Sequence, residues 1–243
     1  MTTKISGGGG GRGEHVRPHA KKRRRASSRR WLERQLNDPY VAAARKQGYR
    51  SRAAYKLLEI DDRMAVLSPG LRVVDLGAAP GGWTQVAVAR VAVGKRGDGR
   101  VVAVDITAMA ETPGAVTIQA DIRDAATRAR IRDALEGPAD VVLSDMAAPA
   151  TGHATTDRLR VIGLCEIALE IAEEILAPGG AFICKVLGSG ADAGLLAAVK
   201  RVFSQVKHVK PPASRSDSAE IYLVATGFRG DQGNSGLNPV TQT

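Results

Sequence analysis

The stretch LRVVDLGAAPGGW, residues 71–83, decides how the rest of the chain is read. Its first half is short, rich in valine and ends near an acid, as a buried parallel strand does. Its second half sets Gly77, Gly81 and Gly82 around Pro80 before an apolar run resumes at Trp83. Glycines so placed let a strand turn sharply into a helix and let the backbone approach a ligand closely. Beyond this unit the same alternation continues. RVVAVD (100–105), AVTIQAD (115–121), ADVVLSD (139–145), GAFICKV (180–186), SQVKHVK (204–210) and EIYLVAT (220–226) read as strands. Helix-like segments at 82–93, 125–136, 157–176 and 191–203 lie between most of them. The pattern predicts an α/β fold, a mostly parallel seven-stranded sheet with helices on both faces. The last two strands are joined by a Pro-Pro loop and no helix, which predicts an antiparallel C-terminal hairpin at one edge.

Toward the N-terminus, SRAAYKLLEIDDR (51–63) has Ser51 as a candidate N-cap, with Ala53, Ala54, Leu57, Leu58 and Ile60 on one helical arc. Lys56 projects from the edge of that arc, where a lysine ordinarily snorkels over apolar neighbours. Residues 1–60 carry sixteen lysines and arginines against four acids, and residues 61–243 carry nineteen against twenty-one. The whole +10 excess therefore lies in the first quarter. Three parts are expected: a Gly-rich, polybasic disordered tail at 1–30, a domain at 31–228 beginning with a helical segment at 31–64, and a flexible tail at 229–243. A flexible polycation binds phosphates by releasing counterions, without reading sequence.

Several classes are disfavoured by composition. No apolar run reaches membrane-spanning length and the first residues lack a secretory apolar core, so a cytoplasmic protein without membrane contact is expected. Cys165 and Cys184 have no C-x-x-C spacing, and His15 and His19 have no soft partner nearby, so no metal site is expected. Four Tyr, two Trp and three Phe are too few for a dedicated base-stacking platform.

In open parallel sheets ligands bind outside the carboxyl ends of the strands. Four successive strands end in or near Asp75, Asp105, Asp121 and Asp145. The glycine turn departs from the dinucleotide fingerprint, because Ala79 takes the second-glycine place and Pro80 removes an N–H donor. A cofactor without phosphates fits it better. In FICKVLGSG (182–190), Lys185 arrives where the apolar run of a strand is about to end, and Cys184 must face the opposite side of the sheet.

DLGAAPGGW (75–83), RSRAAYKL (50–57 with Leu57), SDMA (144–147), Lys185 after its strand's apolar run and Glu220 opening the last strand together resemble the FtsJ/RrmJ family of RNA 2′-O-methyltransferases. The resemblance spans roughly residues 45–227 and implies a Rossmann-like, S-adenosylmethionine-dependent methyltransferase fold. It implies a catalytic tetrad of Lys56, Asp145, Lys185 and Glu220. Lys185 would accept or steer the hydroxyl proton while the other three orient the ribose and set the lysine's protonation. It implies cofactor contacts from Gly81, Trp83, Asp105, Asp121 and Asp145, the structural alternative for Trp83 being core packing. The acceptor implied is a uridine ribose of 23S ribosomal RNA in the large (50S) subunit, approached by a monomer, with tRNA or another RNA as the alternative. A catalytically inactive RNA-binding relative is the reading from another class. SDMAAPATG stands where the family commonly has SDMAPN, and KVLGSG lacks the aromatic and Gln common there. Lys200, Arg201, Lys207, Lys210 and Arg215 offer a basic track toward Glu220.

Overall fold

Residues 33, 35–91, 99–149, 151–188 and 192–230 are described by the structure, a computed structural model. The tail expected at 1–30, and that at 229–243 from residue 231 onward, lie outside them. Strands β1 (Arg72–Leu76), β2 (Arg100–Asp105), β3 (Ala115–Gln119), β4 (Ala139–Ser144), β5 (Leu176–Leu187), β6 (Phe203–Val209) and β7 (Glu220–Phe228) form one sheet in the order β3-β2-β1-β4-β5-β7-β6. Neighbours from β3 to β5 run parallel, while β7 pairs antiparallel with both β5 and β6. The expected hairpin is thus present, with β6 as the outer strand. The chain leaves β1 for β2 and β3 on one side and returns to β4 on the other. That reversal opens a crevice above the carboxyl ends of β1 and β4.

Period-two alternation divides the strands between two apolar layers. Val74, Leu76, Val142, Phe182, Cys184 and Leu223 face the layer that includes Ile131 of α4 (Ala125–Leu135), Cys165 of α5 (Ala154–Ile175) and Val199 of α6 (Ala193–Val202). Val73, Val141, Leu143, Ile183 and Tyr222 face Leu57 and Ile60 of α2 (Ala53–Met64) and Trp83 and Val86 of α3 (Gly82–Val91). Both layers are sealed: Leu57, Ile60, Ile131 and Ile183 are fully buried, each such side chain contributing about 1.5–3 kcal/mol. The parity also decides the chemistry. Residues 181, 183 and 185 of β5 share one face, so Lys185 is directed to the layer holding α2, and Cys184 to the other. Cys184 and Cys165 are both buried free thiols, as expected for structural cysteines.

The helix at 53–64 starts differently from the expectation. Arg52, in helical backbone conformation, occupies the N-cap position and makes no side-chain capping bond. Ser51 Oγ is buried without a hydrogen-bond partner, and a Cβ at Gly82 would fall 2.4 Å from it. Ser51 is there because it is small enough to let α2 approach the glycine turn. A further helix, α1 (Pro39–Gln47), precedes it, capped by Asp38, whose carboxylate accepts from Tyr40 N. Strand β5 begins at Leu176, four residues before the sequence suggested, and its pairing with β4 shifts register between Ala139 and Val141.

Candidate active site

The glycine turn between β1 and α3 forms the floor of a cleft of about 590 Å³ whose walls come from the carboxyl ends of β1, β2, β3 and β4. Gly77, at φ 74°, is required there, since a Cβ would meet Met146 Cγ at 2.4 Å. Asp105 lies on the wall, fixed by N–H bonds from Ala79 at 2.9 Å and Thr107 at 2.7 Å, one to each oxygen. Each oxygen keeps a further lone pair for a hydroxyl. Asp121 also lines the cleft. The Arg123 side chain and backbone N–H both bind it and hold its carboxyl down at about 2. Ile106, Ile122 and Met146 give the same cleft its apolar surface. Its size suits a cofactor. The donor set suits one with a ribose diol, an exocyclic amine and an aromatic ring; among the described residues the only cation lining it, Arg123, already serves Asp121, which disfavours a pyrophosphate.

At one end of this cleft the four tetrad residues meet. Lys185 Nζ donates to Asp145 O at 2.6 Å and to Asp145 Oδ1 at 3.0 Å. Lys56 Nζ lies 2.7 Å from Glu220 Oε1 and 2.9 Å from Oε2. Residues 56 and 220 are brought together because β7 runs antiparallel, which puts its first residue at the sheet edge where β4 and β5 end. Tyr222 joins the two pairs. Its hydroxyl donates to Asp145 Oδ1 at 2.7 Å, and Lys56 Nζ sits 5.8 Å from its ring centroid. Burial alone would raise the Asp145 carboxyl. The Lys185 and Lys56 charges, with the Tyr222 hydrogen bond, outweigh it and hold that carboxyl below its usual range. Burial first, then Asp145 and Glu220, push the Tyr222 hydroxyl well above its usual value. Ser214 Oγ donates to Glu220 Oε1 at 2.9 Å. The arrangement can hold an acceptor hydroxyl: Lys185 uses two of three N–H donors on Asp145, leaving one for a third oxygen.

The structure places the sequence-derived residues unevenly. Asp105, Asp121 and Asp145 line the cleft, whereas Gly81 and Trp83 do not. The Trp83 ring is buried, its Nε1 donating to Ala53 O at 2.8 Å and its face 5.5 Å from Tyr222, so the side chain packs α3 against α2. Gly81, at φ 105°, lies under Arg50, and a Cβ there would be 2.6 Å from Arg50 Nη1. Arg50 is one of the residues that sequence reasoning passed over. Its guanidinium donates to Pro80 O, Ala110 O, Thr112 Oγ1 and Glu111 O, tying the loop after β2 to the glycine turn. It opens the RSRAAYKL motif, but its role could not be read there, because all but one of its acceptors are backbone carbonyls. Tyr222 was legible in principle, since it stands two residues after Glu220 on the same face of a strand and directly opposite Lys185. Asp75 is fully buried, bonded by Thr84 Oγ1 at 2.7 Å, and burial first, then Asp145 and Asp105, push its carboxyl up to about 7. Of the suggested basic track, only Arg215 lines a cleft together with Glu220. Among the described residues no group of His, Cys, Asp and Glu is arranged to hold a metal, and no helix is long and apolar enough to cross a membrane.

Comparison with known proteins adds the following. The family model described as FtsJ-like methyltransferase matches residues 49–228. A protein of Paramagnetospirillum magneticum named ribosomal RNA large subunit methyltransferase E is 56% identical over 230 residues, covering 94% of each chain. One of the same name from Rhodopseudomonas palustris is 58% identical over 208 residues, 86% of this chain and 87% of that one. Among solved structures, a Plasmodium falciparum chain that carries the description ribosomal RNA methyltransferase superposes with a TM-score of 0.66. It is 29% identical and covers 75% of this chain and 100% of that one.

Proposed function

The chain belongs to the FtsJ-like methyltransferase family, and from that premise we propose that it methylates a ribose 2′-hydroxyl of RNA, a uridine of 23S ribosomal RNA in the large subunit, using S-adenosylmethionine. The names of the relatives from P. magneticum and R. palustris support the large-subunit substrate. The observation that carries the chemistry is the double ion pair Lys185–Asp145 and Lys56–Glu220, bridged by Tyr222, at the end of a phosphate-averse cleft. Asp145 belongs to both, lining the cleft and holding Lys185.

S-adenosylmethionine, when bound, supplies a methyl group on a positively charged sulfur. Asp105 is the residue to hold its ribose hydroxyls and Asp121 its adenine amino group, while Ile106 and Ile122 cover the ring. Gly81 and Trp83 serve that site indirectly, as the turn and the packed helix start that shape its floor. On the acceptor side Lys185 binds the 2′-oxygen with its remaining donor and turns a lone pair toward the cleft. The departing hydroxyl proton needs a lone pair on Lys185, which arises when the ammonium passes one proton to Asp145 Oδ1; the amine then takes up the hydroxyl proton, and the pair as a whole has gained one. Lys56 and Glu220 hold the ribose. Alignment of this kind is worth about 7–11 kcal/mol, and a positioned proton acceptor a further ~10²–10⁴-fold. Cys184 takes no part, since it faces the α5 layer.

The test is transfer of a labelled methyl group to large subunits, small subunits, intact ribosomes and tRNA, followed by nuclease mapping and alkaline hydrolysis. Label in 23S RNA at an alkali-resistant linkage is the expected result. Label confined to tRNA would move the substrate, and label at an alkali-sensitive linkage would remove the ribose oxygen as acceptor.

A further inference from the structure

Lys56 and Glu220 line a second cleft beside the tetrad, of about 360 Å³. Bonded to Glu220 is a buried hydroxyl with no role in the chemistry above, that of Ser214. We propose that Ser214 is a positioning residue of the methyl transfer: by engaging Glu220 it leaves the Tyr222 proton to Asp145, and so fixes the carboxylate that meets Lys185. The inference rests on the reading of the tetrad as the site that holds the acceptor hydroxyl. A phenol has one O–H to give. That of Tyr222 has two carboxylates within reach: it donates to Asp145 Oδ1 at 2.7 Å, and a hydrogen bond toward Glu220 also helps to push its value up. Each carboxylate carries one lysine, Lys185 on Asp145 and Lys56 on Glu220, so the lysines do not decide between them. Ser214 breaks the tie.

Its Oγ donates to Glu220 Oε1 at 2.9 Å, and Lys56 Nζ lies 2.7 Å from the same oxygen, so both lone pairs of Oε1 are taken. A hydrogen bond to a carboxylate also lowers its affinity for a further proton. The phenol is left to Asp145 Oδ1, which meets Lys185 Nζ on its other lone pair. The segment KPPAS (210–214) builds this contact locally. Ser214 N donates to Pro211 O at 2.8 Å and closes a turn whose first central residue is Pro212, a position that suits proline. Ala213, fully buried, is gripped on both sides: its N donates to Glu59 Oε2 at 2.6 Å and its O accepts from Arg52 Nη2 at 2.5 Å. Arg52, Lys56 and Glu59 stand four and three residues apart, on one stripe of α2 and its N-cap. A single helix face therefore holds both the turn that presents Ser214 and the carboxylate that it bonds.

The test is a double-mutant cycle in the full chain, read by kinetics and by carboxyl-carbon NMR of the resting protein at neutral pH. Ser214→Ala should lower kcat about threefold, a smaller loss than that of Tyr222→Phe, with KM for the large subunit and cofactor affinity each within about twofold of the wild type. The carboxyl signal of Asp145, assigned by its disappearance in Asp145→Asn, should move in the same direction in Ser214→Ala as in Tyr222→Phe. Added to Tyr222→Phe, Ser214→Ala should change neither measurement further, because without the phenol there is no proton to redirect. Ser214→Thr, which keeps the hydroxyl, should match the wild type in both. An unmoved Asp145 signal in Ser214→Ala, a loss confined to KM, or the same loss with and without the Tyr222 hydroxyl overturns the role. The outcomes separate from those of the methylation reading. A chain whose Asp145 signal moves as described but which transfers no methyl group to RNA keeps the positioning and loses the acceptor. One that methylates large subunits while Ser214→Ala alters neither kcat nor the signal keeps the activity and loses the positioning.

Discussion

The two clefts that meet at the tetrad are built in opposite ways. The larger is assembled from residues 77 to 167 at successive strand ends, and two of its carboxylates, Asp105 and Asp121, each accept from a backbone N–H two residues on. The smaller joins residues 52 and 56 to residues 215–220, more than 150 positions later, and is held by side-chain ion pairs. A local site depends on turn geometry, which tolerates little change in backbone and much in side chain. A site of distant ion pairs behaves the other way, because each charge loses its compensation when its partner goes.

Four perturbations would break or sharpen that contrast. The largest effect belongs to Lys185→Ala, which should lower methyl transfer by ~10²–10⁴-fold while cofactor affinity, measured by calorimetry, stays within about threefold. Normal turnover would remove the lysine from the chemistry and the contrast with it. Next is Arg50→Ala, which frees the loop after β2 from the glycine turn. With several charge-assisted bonds lost, cofactor affinity should fall ~10–100-fold in the same calorimetric measurement, and RNA affinity much less. A fall in RNA affinity instead would place Arg50 on the acceptor side.

Tyr222→Phe removes the hydroxyl that ties Asp145 to the rest of the tetrad. Transfer should drop about tenfold with cofactor affinity retained, since one hydrogen bond to a charged group is worth ~1.5–3 kcal/mol at most. The smallest and most diffuse effect is on pH. Asp75 is raised from its ordinary 3.8 to about 7 in the fold, so folding favours its neutral form. Its contribution to stability is complete below about pH 4 and is lost as pH rises through about 7, the difference being at most ~4 kcal/mol. From pH 4 to about 7 the melting temperature of the wild type should fall relative to that of Asp75→Asn, and the two curves should run parallel only above that; curves parallel from pH 4 upward would mean that Asp75 is charged in the fold throughout.

Much of this was legible in the residues. Seven strands could be read from their β-branched runs, and the hairpin from Pro211 and Pro212 in place of a helix. The glycine turn and its departure from the dinucleotide fingerprint could be read because glycine spacing and a proline are local properties. Period two correctly sent Lys185 and Cys184 to opposite layers. The N-cap assignment of Ser51 failed because a serine before a helix signals a cap only where its hydroxyl can turn back on the backbone, and here it is pressed against Gly82. Trp83 sat in a ligand-binding motif yet its ring faces the core, which a motif cannot reveal. The signal for Asp38 was also present, as an Asp-Pro pair at a helix start, but nothing local shows that Arg52 and Arg215 converge on it.

The sequence by itself determined the order of strands and helices along the chain, the glycine turn at the end of β1 and the face on which each strand residue stands, because those depend on neighbours within a few positions. Only the tertiary structure decided that Lys56 meets Glu220, that Tyr222 bridges the two ion pairs and that Arg50 clamps a loop sixty residues away. The reason is physical: local periodicity sets a side chain's direction, whereas a partner across the fold is fixed only when the sheet order and the antiparallel course of β7 carry distant residues to one edge.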